Sequence, residues 1–105
     1  MADVDVFAAL ANPVRRELLM RLRRGPQAAS ELTRGFKLGR PAVSEHLQVL
    51  RKARLVRAEP RGRERYYHLD PRPLAEVELW VKAFSQYWAQ RLQALEELLD
   101  EEHDP

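Results

Sequence analysis

Cysteine is absent from the 105 residues, which excludes a disulfide framework, a thiolate metal site and a thiol redox switch. Only four glycines and three histidines are present. They form no glycine-rich phosphate loop, and no nucleophile and base stand close together, so the sequence offers nothing from which to build a catalytic site. No apolar run approaches the roughly 18 residues of a membrane span. Internal repeats, low-complexity tracts and interdomain linkers are missing too, and the length suits one domain with a modest core. The start, Met1-Ala2-Asp3-Val4-Asp5, is acidic where a secretory signal would be basic, so the expected address is the cytoplasm.

What is present is charge, unevenly placed. The formal net charge is only +2, yet residues 12–68 carry fifteen Lys+Arg against five Asp+Glu, a net of +10. Residues 69–105 carry three against nine, a net of −6, and residues 1–11 add −2. A basic middle between acidic ends suggests a polyanion partner for the middle and another task for the ends. Arginine outnumbers lysine fifteen to three. Bidentate contact with phosphate or guanine would favour that bias, and so would base composition of the coding DNA.

Along the chain the periodicity predicts mostly helix. A short helix over 3–11 has Asp3 and Asp5 near its positive N-terminal end and Val6, Phe7 and Leu10 for packing. Asn12-Pro13 restarts the chain as N-cap and first helical residue; Val14, Leu18, Leu19 and Leu22 form a stripe that Gly25-Pro26 ends. A helix over about 28–34, with a poor N-cap, carries Ala29 and Leu32, and Gly35 suits its left-handed C-terminal position. A fourth helix, about 40–53, puts Val43, Leu47 and Leu50 on one side and Arg40, Pro41, Ser44, Glu45, Gln48 and Lys52 mostly on the other. These two helices, 28–53, match a helix-turn-helix unit. The period then falls to two, and Val56-Arg57-Ala58-Glu59, the turn Arg61-Gly62 and Arg65-Tyr66-Tyr67-His68-Leu69 read as a β-hairpin over 55–69 with a charged tip. Tyr66 and Tyr67 must point to opposite sides, and either is a candidate for burial. After Asp70-Pro71-Arg72-Pro73 one long helix is expected over 73–100, with residues 101–105 frayed.

The strings LANPVRRELLMRL (10–22), PAVSEHLQVLRKARLV (41–56) and GRERYYHLDP (62–71), in that order, resemble the ArsR/SmtB family of bacterial transcriptional regulators. The resemblance covers nearly the whole chain. It implies a mainly α fold with a β-hairpin wing, the winged helix-turn-helix, in a homodimeric repressor whose fourth helix enters the major groove of double-stranded DNA. Metal-sensing members typically carry a cysteine motif or an Asp/His set on the last helix. This chain has no cysteine, and its last helix has no histidine before His103. It is therefore similar to the metal-independent branch, with no metal and no cofactor expected. Gly39 stands where relatives often place a serine N-cap, and Glu45 where they often carry a basic or amide side chain.

Placed on that fold, Arg40, Ser44, Glu45 and Gln48, beside Pro41, are candidates for contact with base edges or phosphates: glutamine pairs bidentately with adenine and glutamate accepts from cytosine N4. Glu45 has the alternative task of holding a neighbouring arginine. His46, at the border of the two faces, is a weaker DNA candidate than a packed or backbone-bonded histidine. Arg61, Arg63 and Arg65 would place guanidinium groups along the phosphate backbone or in the minor groove, and Arg15 and Arg16 would clamp phosphates. The apolar band of the last helix, with Trp80, Phe84, Tyr87, Trp88 and Leu95, is too broad for one small core. Together with Phe7 and Leu10 it suggests a self-complementary two-fold interface, hence inverted half-sites in the operator. Two other readings stay open: a winged domain that binds an acidic protein, and a small-molecule-responsive regulator with a pocket at the dimer interface.

Overall fold

The computed structural model describes residues 4–103, with only the backbone of His103. The expected helix start at Asp3 and the acidic Met1–Asp3 segment lie outside the described residues, as do Asp104 and Pro105. The chain divides into two compact units, the first ending at Ala75 and the second starting at Glu76.

In the first unit the first two helices start at side-chain caps, whereas the next two do not. The Asp5 carboxylate accepts from the backbone N–H of Phe7 (2.7 Å) and caps α1, Val6–Leu10. Asn12 Oδ1 accepts from Arg15 N–H at 3.1 Å, and Pro13 opens α2, Pro13–Leu22. A two-residue strand, β1 (Gln27–Ala28), precedes the short α3, Ala29–Thr33. Ala28 has no side-chain oxygen to offer this helix, so only the reciprocal bond is made, from Ala28 N–H to Glu31 Oε1 at 3.3 Å. Helix α4 (Arg40–Lys52) begins at Gly39 without a side-chain cap. It ends with Leu55 N–H bonded to Leu50 O and Arg54 N–H to Arg51 O, with Arg54 at φ 62°. That is the Schellman pattern, with arginine in the place usually taken by glycine.

Strands β2 (Val56–Arg61) and β3 (Glu64–Leu69) form the hairpin. Gly62, at φ 61°, takes a turn position that favours glycine. The sequence suggests a two-stranded hairpin, but the sheet has three antiparallel strands in the order β1-β3-β2, because Gln27 and Ala28 pair with Tyr67 and Tyr66. A two-residue strand carries no periodicity of its own and is visible only through its partner. Pairing of Arg57 with His68, Glu59 with Tyr66 and Arg61 with Glu64 puts these six residues on one face of the hairpin. The opposite face carries Val56, Ala58 and Tyr67. Tyr67 is the buried tyrosine, 4 % exposed, and Tyr66 is half-buried.

The core is assembled from Leu18, Leu32, Val43, Leu47, Leu50 and Leu55, all essentially inaccessible, and no polar or charged residue is buried among the described residues. Each of these side chains contributes about 1.5–3 kcal/mol relative to exposure. Because three come from α4, that helix has its apolar face fixed and its polar face turned outward.

The second unit corrects the expected continuous helix over 73–100. Two helices are present, α5 (Leu74–Lys82) and α6 (Ser85–His103), and helical backbone continues to His103, past the expected end at residue 100. Neither proline nor glycine marks the break. Phe84 N–H instead bonds Val81 O at 2.9 Å, a tightened turn, and the Ser85 hydroxyl donates to Lys82 O at 2.8 Å. The apolar spacing continues across residues 83 and 84, so periodicity does not reveal the interruption. Trp80 and Phe84 pack edge to face across it at 5.2 Å.

Candidate nucleic-acid interface

The outward face of α4 carries Arg40, Pro41, Glu45 and Gln48, all exposed, with Ser44 half-buried at its edge. Glu45 has no hydrogen-bond or ion-pair partner among the described residues, so the alternative in which it holds an arginine finds no counterpart. Gln48 Oε1 accepts only a long contact from Arg51, 3.5 Å. Arg40 Nη2 lies 3.9 Å from Glu64 Oε1, which brings the start of α4 beside the base of the hairpin turn. At this exposure the pair adds little stability.

In the hairpin, Arg63 and Arg65 are exposed and have no partner among the described residues. Arg61 differs. Its Nε is 3.4 Å from Glu59 Oε1, its guanidinium sits over the Tyr66 ring at 4.7 Å, and Glu59 Oε2 is 2.9 Å from His68 Nε2. Hydrogen bonding from Arg61, then from His68, holds the Glu59 carboxyl below its usual range, so it stays ionised. Arg61 is expected from the sequence to lie with Arg63 and Arg65 at the DNA backbone, and that expectation does not include this cross-strand set. The signal was available in the period-two alternation, which places Glu59, Arg61, Tyr66 and His68 on one face once the register is known.

The two candidate phosphate clamps, Arg15 and Arg16, make bonds within the fold. Arg15 Nε donates to Ala9 O at 2.6 Å, Nη2 to Ala8 O at 3.1 Å, and Nη1 lies 3.3 Å from His46 Nδ1. Arg16 Nη1 donates to Leu10 O at 2.8 Å. Both guanidinium groups thus engage the last carbonyls of α1, the end of a helix that favours cations, with Ala8 O also accepting from Ala11 N–H at 3.2 Å. His46 is half-buried and faces Arg15, on the border of the helix rather than on its outward face.

The residues expected to pair in the second unit all stand open. Trp80 is 57 %, Phe84 44 %, Tyr87 48 %, Trp88 59 % and Leu95 52 % exposed. Phe7 and Leu10, on α1 of the first unit, are half-buried. Among the described residues no helix is long and apolar enough to cross a membrane, and no three His, Asp or Glu side chains converge at metal-binding distance.

Comparison with known proteins agrees with this geometry. Residues 12–58, which span α2 through the first part of β2, match the family described as bacterial regulatory protein, arsR family. The chain is 43% identical over 98 residues to the HTH-type transcriptional regulator Rv2034 of Mycobacterium tuberculosis, covering 93% of this chain and 89% of that one. It is 30% identical over 80 residues to the transcriptional repressor SdpR of Bacillus subtilis, covering 76% and 89%. Among solved structures, one described as a possible transcriptional regulator for arsenical resistance superposes with a TM-score of 0.75 at 38% identity, over 87% of this chain and 95% of that one. With its mainly helical fold and small antiparallel wing, the chain belongs to the arsR family of bacterial regulatory proteins, the winged helix-turn-helix transcriptional regulators.

Proposed function

We propose that this protein is a homodimeric repressor that occludes a promoter, with α4 of each protomer in a major groove and the hairpin along the flanking backbone. The observation that carries the reading is the division of α4. Val43, Leu47 and Leu50 are at most 1 % exposed, whereas the opposite side presents Glu45, without a partner among the described residues, and Gln48, whose one contact is the long 3.5 Å approach of Arg51. A helix held this firmly by one side offers its other side in a fixed orientation, as readout of base edges demands. Arg63 and Arg65 supply the nonspecific component. Arg15 leaves the contact set, because its donors serve α1 and His46, and His46 leaves it because it faces Arg15; Arg16, exposed and committed through Nη1 alone, keeps its other donors for phosphate. A two-fold pair of such heads requires inverted half-sites about one helical turn apart, roughly 34–36 Å.

The test is a pair of substitutions measured on the duplex that the wild type selects from a random pool, and on a scrambled duplex. Gln48→Ala removes a base contact worth about 1–3 kcal/mol of discrimination and lowers preference for the selected duplex. Arg63→Ala weakens binding to both duplexes alike and reduces the salt slope by about 1. The reverse pattern overturns the assignment of helix and wing. If the wild type instead bound an acidic protein surface, it would show no preference among duplexes at any salt concentration.

A further inference from the structure

We propose that Arg21 is a positioning residue for DNA reading: from α2 it locks the turn between α3 and α4 and so sets the aim of the recognition helix. The proposal rests on the reading of α4 given above and adds a residue that touches no nucleic acid.

The turn, residues 34–39, does little to hold itself. Arg34 N–H bonds Glu31 O at 3.2 Å and Phe36 N–H bonds Thr33 O at 3.3 Å; among the described residues, Lys37, Leu38 and Gly39 donate no backbone hydrogen bond. Gly39 brings no side chain to cap α4. Into this weakly tied segment Arg21 sends a guanidinium with only a quarter of its side chain exposed. Nη1 donates to Leu32 O at 3.0 Å and to Arg34 O at 2.6 Å, satisfying carbonyls at the end of α3 that the helix itself leaves open. The guanidinium face lies 4.1 Å from the centre of the Phe36 ring, and Nε is 3.3 Å from Glu17 Oε1.

The fit is close. Gly35 sits at φ 84°, and a Cβ there would lie 3.2 Å from Arg21 Nη2. The main chain of the same residue is tied as well, because Gln27 Nε2 donates to Arg21 O at 2.8 Å, and Gln27 begins the strand that pairs with β3. One residue therefore connects α2, the turn and the edge of the sheet. Lysine cannot take its place: a point ammonium has neither the planar face that stacks on Phe36 nor the fork that reaches the carbonyls and Glu17 together.

If Arg21 sets aim rather than contacting phosphate, its loss must act on sequence preference and spare nonspecific affinity, because readout tolerates only small errors in placement. The experiment measures Arg21→Lys against wild type on the selected and scrambled duplexes at several salt concentrations, with circular dichroism and thermal melting to verify the fold. The expected result is a folded variant whose affinity for scrambled DNA and whose salt slope stay within about twofold of wild type, while preference for the selected duplex falls by about tenfold or more. Phe36→Leu, which keeps an apolar group but removes the stacking face, loses preference in the same direction, and the double variant loses less than the product of the two. A folded Arg21→Lys that keeps its preference within twofold overturns the proposal and leaves Arg21 as a stability element alone. Equal loss on both duplexes with a shallower salt slope also overturns it, by making Arg21 a phosphate contact. A wild type without any preferred duplex would sink the reading of α4 itself, and the proposal with it; that outcome is distinct from a failure of the variant.

Discussion

Single side chains decide how much of the positive charge in the middle of the chain is available to a polyanion. Arg15 and Arg16 are attached to carbonyls of α1, Arg21 to the α3–α4 turn, and Arg61 to Glu59. Composition reveals the excess of arginine but not this division, because a guanidinium caps a helix and binds a phosphate with the same donors. Glu59 offers a direct test. It is ionised and paired with the Arg61 guanidinium, which a DNA phosphate would have to win from it. Glu59→Gln should free that guanidinium, so affinity for any duplex rises severalfold at low salt and the salt slope steepens by about 1. An unchanged slope in a binding titration would mean that Arg61 does not reach the backbone. Asp70 governs a different property. Hydrogen bonds from the Arg72 guanidinium (2.6 Å) and the Arg72 backbone N–H (3.1 Å) lower its pKa to about 2. A carboxylate whose pKa is depressed on folding adds stability above its unfolded pKa, near 4, and loses that contribution as pH falls toward about 2. Asp70→Asn should therefore be less stable than wild type at neutral pH and converge with it near pH 2. Denaturant midpoints across that range check the sign.

At the level of elements, what the sequence discloses is what short-range chemistry writes into it. Asn12-Pro13, Asp5 and the 43-47-50 spacing announce α2, α1 and α4 because a cap or an apolar period lies in the residues themselves. The break between α5 and α6 is concealed, since Ser85 and a tightened backbone make it while the apolar period continues. Strand β1 is concealed for the opposite reason: its two residues exist as strand only through β3. The end of α4 is the sharpest local exception. Arg54 occupies the left-handed position of the Schellman turn at φ 62°, while Leu50 and Leu55, the pair that closes the motif, are fully buried. Left-handed backbone costs an L-residue roughly 1–2 kcal/mol, and glycine returns part of that difference through its freer unfolded chain. Arg54→Gly should consequently stabilise the protein by about 0.5–1 kcal/mol, seen as a higher urea midpoint with the m-value unchanged. A lower midpoint would show that the contacts of the Arg54 side chain outweigh its backbone strain.

For the whole molecule, the unresolved balance is between a small, well-filled first unit and a second unit that buries almost nothing by itself. Leu79, Trp80, Trp88, Leu92 and Leu98 are each 57–69 % exposed, and the ring pairs Trp80–Phe84 and Tyr87–Trp88 lie open along the same stretch. Apolar side chains exposed to this extent are rare on a monomer, and the proposed dimer would cover them. Net charge distinguishes the occupant: residues 69–105 are acidic by six, which disfavours DNA, and the apolar side chains suit a second copy of the same helices. Two-fold pairing makes every defect count twice. A carboxylate at the α5–α6 break, as in Phe84→Glu, would be placed in both halves of the interface at once, with a desolvation cost of several kcal/mol per charge. The variant should sediment as a monomer at micromolar concentration while the first unit keeps its cooperative melt. Its affinity for scrambled DNA should fall modestly. Its affinity for a two-half-site duplex should drop by two orders of magnitude or so, because the second reading head is no longer held at high effective concentration. If Phe84→Glu remains a dimer and keeps its operator affinity, the copies meet elsewhere, and the open aromatic face of the second unit serves a partner other than this chain.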